Sequence, residues 1–334
     1  MPVTIKDVAR ESGVNVSTVS RALNGEYGVH KGTREHVMAV AARLQYRPNR
    51  VARGLVTGRS HTLALVVSDI RNPFFSEVAR GAEDAAYLAG YDLVLCNSDL
   101  DPEKQMRYVQ SLVDKRVDGI LMNSVSTLSR KEQQQLAALG VPIVLLNQAA
   151  SRSAFSTVCA DNLTGGTLAA EYLLRLGHRH IAHLTGRHGN MTARARGFLR
   201  ALAAAHNPIE PIVIHGRNNF QGSADLTQKL IANHPEVTAI FAANDMMAFG
   251  VIRTLMNAGR RIPQDVSVIG FDNTELSSIV HPPLTTIHQP KAEIGQAAVE
   301  ILLRLVARGA HQSPEHRLFG VHLVERQSCM EPRA

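Results

Sequence analysis

Apolar residues recur at helical spacing through the first 46 positions and then change period. Ile5, Val8 and Ala9 predict one short helix, opened by Thr4 and Asp7 as a capping box and broken at Gly13. Asn15 caps a second, in which Val16, Val19, Ala22 and Leu23 share a face and Asn24-Gly25 ends the run. A third runs from about Gly32 to Leu44, with Val37, Val40, Ala41 and Leu44 together. Residues 47–60, RPNRVARGLVTGRS, form a basic connector carrying two Gly and one Pro.

From His61 the pattern is one of short buried strands alternating with helices. The runs TLALVVS, DLVLCN, GILMNS, PIVLLN and STVCA read as strands, with helices at 75–88 and about 103–116. A second series continues with HIAHLT, PIVIH, TAIFAA and DVSVIGF. Its helices lie at about 164–176, 193–206, 222–233 and 246–258, and a last one at about 291–307. Such alternation indicates βαβ units and parallel sheet. The 334 residues accommodate two doubly wound lobes behind the helical head. The fold class is therefore α/β, with an all-helical N-terminal module.

Charge divides the chain in the same place. Of the formal net charge of +7, residues 1–60 carry ten Lys/Arg against four Asp/Glu, and the remainder is nearly neutral. A basic module on a neutral body suits a nucleic acid or a membrane surface. Cys96, Cys159 and Cys329 are too far apart for a zinc cluster or a disulfide framework, which fits a reducing cytoplasm. The N-terminus MPVTIKDVARESG lacks the apolar stretch of a signal peptide, and no apolar run reaches membrane-spanning length. No GxSxG, HExxH, P-loop or GxGxxG occurs, and the His178, His180, His183 cluster has poor metal geometry. The expectation is a non-enzyme without cofactor or metal.

DVARESGVNVSTVSRALNG has the shape of a helix-turn-helix, with its second helix suited to the major groove. In the body, polar residues sit where strands end, the usual place for ligands of open α/β sheets. These are SDIRNPFF, Asn147-Gln148, Asp161-Asn162, Asn244-Asp245 and Asp272-Asn273, with Arg194 opening a helix in the pattern RxxGF. Asp161 and Asp245 read as helix caps.

VTIKDVARESGVNVSTVSRALN and TREHVMAVAARLQYRPNRVARGL resemble the N-terminus of the lactose-repressor/galactose-repressor (LacI/GalR) family of bacterial regulators, and the resemblance runs through the whole chain. It implies a DNA-binding domain at 1–46, a hinge helix at 47–60, and an effector-binding and dimerisation core at 61–334 that is similar to a periplasmic binding protein. In that core the N-lobe would span about 61–160 plus 290–325 and the C-lobe about 161–289. Val16, Ser17 and Arg21 would read base edges, Arg21 by bidentate bonds to guanine. Thr4, Asn24 and Thr33 would position phosphates. His30 stands where the family usually has a Ser or Thr cap. Arg50, Arg53 and Leu55 would belong to a hinge helix ordered on DNA, with Leu55 as a minor-groove wedge.

The resemblance also implies an effector site. Asn72, Phe74 and Phe75 would line one wall, with Asn147 and Asn218 near the ligand. Arg194, Asn244, Asp272 and Gln289 would bind its hydroxyls or ring atoms. Three departures stand out: Asn147 where many sugar-sensing relatives have Asp, Asn218 in GRNNFQG where an aromatic is usual, and a shortened GRHGNMTAR loop. They favour a sugar, polyol or sugar acid over a flat nucleobase. The implied function is a cytoplasmic, ligand-responsive repressor of carbohydrate-utilisation genes that binds a pseudo-palindromic double-stranded DNA operator as a homodimer. With no heptad tail after LFGVHLVERQSCM, a dimer is expected and not a tetramer. The alternatives are a nucleobase-type co-repressor or a solute-binding receptor without DNA function.

Overall fold

The computed structural model describes residues 3–25, 27–46, 58–124, 128–148, 153–186, 190–308 and 313–333. It divides into two units, Met1–Ser60 and His61–Ala334. Arg50, Arg53 and Leu55 lie outside the described residues.

The first unit holds three helices: α1 (Ile5–Ser12), α2 (Val16–Leu23) and α3 (Lys31–Arg43). Thr4 donates its backbone N–H and its hydroxyl to Asp7 Oδ2, at 2.9 and 2.7 Å, and so fixes the start of α1. Gly13 stops α1 at φ +65°, a left-handed conformation that glycine adopts without steric cost. Asn15 Oδ1 accepts from Thr18 N at the head of α2. His30 precedes α3 without a side-chain cap bond. Val8, Ala9, Val19, Ala22, Val37, Val40 and Ala41 form the small core. Val16 does not join them: it is 40% exposed, because the face of α2 that meets α1 and α3 is set by Val19 and Ala22.

The second unit contains two six-stranded sheets. The first is built from β1 (Thr62–Val67), α4 (Pro73–Leu88), β2 (Asp92–Asn97), α5 (Pro102–Asp114), β3 (Gly119–Asn123), α6 (Arg130–Ala137), β4 (Ile143–Leu146) and β5 (Ser156–Ala160). The second is built from α7 (Asn162–Arg175), β6 (Ile181–Thr185), α8 (Asn190–Ala203), β7 (Ile212–His215), α9 (Phe220–Asn233), β8 (Ala239–Ala242), α10 (Asp245–Asn257), β9 (Ser267–Asp272), α11 (Leu276–Ile279) and β10 (Thr285–His288). Then α12 (Lys291–Arg308) and β11 (His316–Phe319) return to the first sheet, and β12 (His322–Val324) joins the second. The strand orders are β11-β5-β4-β3-β1-β2 and β12-β10-β9-β8-β6-β7. All pairings are parallel except β10 with β12.

Because β1, β3 and β4 are buried on both faces, their sequences are near-continuous apolar runs without alternation, while β5 buries Ser156 and Thr157 as well. Five elements escape the hydrophobic pattern: α6, α11, β10, β11 and β12. Helix α6, RKEQQQLA, buries only Leu136 and is held by a Ser129–Glu132 capping box. Strand β12 lies in the second sheet, and Ser328 bonds to Thr285 N and Val268 O there. The last crossing between lobes is therefore at Gly320, before the boundary at 325 that the sequence suggests. Among the described residues no helix is long and apolar enough to cross a membrane.

Candidate functional site

On the helical unit, Val16, Ser17 and Arg21 are exposed near the start and on one side of α2. Ser17 Oγ donates to Asn15 Oδ1 at 2.8 Å, so the N-cap that begins the helix also orients this hydroxyl. Thr4 and Asn24 are exposed and Thr33 is half-buried. The first two sit at helix ends, and Thr33 lies in the first turn of α3.

The second unit has a cleft beyond the C-terminal ends of its parallel strands. An inner cavity of about 80 Å³ is lined from one lobe by Ser68, Asp69, Asn72, Phe74, Phe75, Leu100, Asn123, Ser124, Asn147 and Gln148. The other lobe contributes Met191, Arg194, Asn218, Asn244 and Asp272. An adjoining outer cavity of about 200 Å³ shares Asp69, Asn72 and Asn218.

Each wall is locally built. Asn72 caps α4 by accepting from Phe74 N at 3.0 Å, and Pro73 occupies the first helical position, where its missing N–H costs nothing. Phe74 and Phe75 then meet edge to face, ring centres 5.1 Å apart. Asn123 Nδ2 donates to Ser68 Oγ and Asn147 Nδ2 donates to Asn123 Oδ1, both at 3.0 Å. This relay uses the amide that Asn147 has and an aspartate would lack. It leaves Asn147 Oδ1 buried without a partner.

Arg194 is 2% exposed. Its Nε donates to Asn162 Oδ1 at 2.8 Å, its Nη1 to the carbonyl of Ala243, and its guanidinium stacks 3.6 Å from the ring centre of Phe271. Helix α8 can bring Arg194 this deep because α7 and α8 touch at backbone. A Cβ at Gly166 would fall 2.0 Å from Arg194 O, and one at Gly197 would fall 2.0 Å from Leu163 O. Asp272 Oδ1 lies 3.5 Å from Arg194 Nη2 and accepts from Gln289 Nε2 at 2.7 Å. Gln289 does not line the cavity: it is fully buried behind Asp272, and its Oε1 has no partner.

Asn244, and not Asp245, caps α10, accepting from Met247 N at 2.7 Å. Asp245 is buried one residue inside. Its Oδ2 accepts from Thr274 N and its Oδ1 from Thr286 Oγ1, so it ties α10 to the turn after β9 and to β10. Asp161 does cap α7, through Thr164 N. Burial pushes the carboxyls of Asp245 and Asp272 upward, while Arg194 pulls Asp272 back. Burial pushes Arg194 down to about 10, against the pull of Asp272, and leaves it protonated at neutral pH. The site thus places two buried basic side chains, Arg194 and Lys291, beside two buried carboxyls that burial biases toward their neutral form.

Eight of the nine residues that the sequence marks for the cleft line one cavity. Ser68, Asp69 and Gln148 fall in the polar strand ends that the sequence points to, whereas Leu100, Asn123, Ser124 and Met191 lie outside them. Asn123 ends the run GILMN as Asn147 follows PIVLL, so a polar residue closing a buried strand was the available signal. Met191 and Leu100 carry none. Among the described residues no group of His, Cys, Asp and Glu has the arrangement of a metal site.

Comparison with known proteins places both units. Residues 4–49 match the model of bacterial regulatory proteins of the lacI family, and residues 170–329 match a periplasmic binding protein-like domain. The HTH-type transcriptional repressor PurR of Vibrio cholerae is 40% identical, covering 98% of each chain. The ribose operon repressor of Escherichia coli is 36% identical, covering 98% of this chain and 99% of its own. A solved lac repressor dimer bound to operator and the anti-inducer ONPF superposes with a TM-score of 0.87 at 30% identity, over 99% of this chain and all of that one.

Proposed function

The chain belongs to the lacI family of bacterial regulatory proteins and is a DNA-binding transcriptional repressor, and from that premise we propose what each of its sites recognises. Repressors of this family bind operators and small-molecule effectors as dimers. In this chain Arg21, Val16 and Ser17 read base edges of a two-fold related operator, while Thr4, Asn24 and Thr33 set the register on phosphates.

The cleft takes an uncharged polyhydroxylated ligand, a monosaccharide or polyol. The carrying observation is that Asn147 and Asn218 both line the inner cavity and that the Oδ1 of each is a buried acceptor without a donor. Buried polar atoms are nearly always hydrogen-bonded, and hydroxyl groups supply the missing donors. Asp272 and Arg194 add an acceptor and a donor, the pairing suited to neighbouring hydroxyls. Burial raises the Asp272 carboxyl beside the protonated Arg194, so the pair can both donate to and accept from hydroxyl groups. Phe74 and Phe75 are the aromatic residues of the inner cavity, whose other lining side chains are mostly polar, and Phe220 lines the outer one. Among the relatives the ribose operon repressor points to a sugar and PurR to a nucleobase, which makes purines the discriminating arm of the test.

A thermal-shift screen of pentoses, hexoses, polyols, sugar acids and purines tests the reading, since a ligand that binds only the folded state raises its stability. A neutral sugar or polyol is expected to raise the melting temperature. A shift with purines alone overturns it.

A further inference from the structure

Lys291 opens α12, a helix that packs on the first lobe, yet its ammonium is bonded to the second. It is 4% exposed. Its Nζ donates to the carbonyl oxygens of Asp272 at 2.9 Å, Asn273 at 2.8 Å and Gln289 at 3.4 Å. It also lies 3.3 Å from Glu77 Oε2, on α4 of the first lobe. A buried ammonium persists only where its charge and its donors are matched. Here three carbonyls and one carboxylate match them.

The backbone that Lys291 grips is strained. Asp272 has φ +124° and Asn273 φ +51°, two consecutive residues with side chains in the left-handed region. Such residues persist where their surroundings over-determine them, and they cluster at functional sites. Both strained carbonyls accept from the same ammonium. The first of these residues carries the cleft carboxylate.

We propose that Lys291 is a positioning residue for effector recognition. Through the two carbonyls it holds the left-handed turn that presents the Asp272 carboxylate to the cleft. Through Glu77 it ties that turn to α4, whose first turn carries Phe74 and Phe75. Lys291 does not line the cavity and acts through Asp272. The inference rests on the cleft being the effector site.

The test uses the full chain, with D-ribose and hypoxanthine as probes of the two ligand classes, titrated calorimetrically well below the melting temperature. K291M is expected to weaken the probe that wild type binds at least tenfold. K291R should recover part of that loss. E77Q, on a half-exposed residue that leaves the carbonyl bonds in place, should weaken binding a few-fold. In a D272N background, K291M should add less than a twofold loss, because residues acting through one group are non-additive. Wild-type affinity in K291M, or losses that multiply with D272N, overturns the proposal; so does unchanged affinity in E77Q if K291M does not fold.

Binding of hypoxanthine in place of ribose ends the sugar reading but leaves this test intact. If wild type binds neither probe, a crystal structure of K291R decides. Asp272 and Asn273 shifted from their left-handed conformation support the tether, and an unmoved turn with a displaced guanidinium overturns it.

Discussion

Gly186, at the end of β6, leaves empty the space that the Asn218 carboxamide fills. A Cβ on Gly186 would stand 2.0 Å from Asn218 Oδ1 and 2.6 Å from its Cγ and Nδ2. The Asn218 side chain therefore stands at the cleft because residue 186 has none. Gly186→Ala is expected to push this side chain aside without unfolding the lobe, since the clash is with a movable amide and not with backbone. D-Ribose affinity should fall about tenfold, roughly 1.4 kcal/mol, as it should in Asn218→Ala. The double variant should lose little more, and additive losses in calorimetry would disconnect the two residues.

Asp272→Asn keeps the shape of the side chain but removes the charge beside Arg194. Operator binding measured by fluorescence anisotropy should survive, while its response to sugar shifts to much higher sugar concentrations. Arg194→Met is harsher. It leaves the Asp272 carboxylate buried without its guanidinium, which costs about 3–5 kcal/mol, and a urea denaturation curve should show a loss of that size.

His183 gives the protein a pH dependence with a defined sign. Its ring is fully buried, stacked 4.6 Å from Phe241, with Nδ1 against Phe241 O and Nε2 unpartnered. Burial pushes its pKa down to about 4, so in the native state it stays neutral where the unfolded chain, at about 6.5, takes up a proton. Between those values the unfolded state binds more protons, and stability falls as the pH drops, by roughly 3 kcal/mol at most. The raised Asp245 and Asp272 act in the opposite sense, gaining native protons as the pH drops. The difference between wild-type and His183→Phe denaturation curves from pH 7 to 4 isolates the histidine. Parallel curves would show that the buried ring does not contribute.

Arg21→Ala should weaken operator binding by about 1–3 kcal/mol and relax the preference at one base pair of each half-site. A uniform loss across all operator variants, with a smaller salt dependence, would make Arg21 a phosphate contact.

Leu88 is 85% exposed and Tyr87 75%, beside the edge strand β2, where Val94 and Leu95 are each 41% exposed. This apolar surface suits a second copy of the chain. Leu88→Asp with Leu95→Asp should sediment as a monomer and lose operator affinity, because two half-sites need two heads. A dimer that persists would place the contact elsewhere.

Periodicity alone made three head helices, two series of parallel strands and the division of charge legible. Each follows from local spacing: a helix or a doubly buried strand declares itself in its own residues. The dense head motif declared the family for the same reason. Residues closing apolar strands were legible too, as with Asn147, Asn244 and Asp272, because the end of a parallel strand is where ligands bind. Helices α6 and α11 and strands β10, β11 and β12 were not legible, since α6 buries one side chain and the late strands are specified by pairing with distant β5 and β9 or with each other.

Tertiary structure alone decided the roles. It turned Asp245 from a cap into a strut, moved Gln289 behind Asp272, and took Val16 out of the core. It also brought Lys291 to Asp272 and Gly186 to Asn218. In these cases the partner comes from another strand or helix. Which donor meets which acceptor is fixed by packing across elements, and spacing along one chain segment carries no record of it.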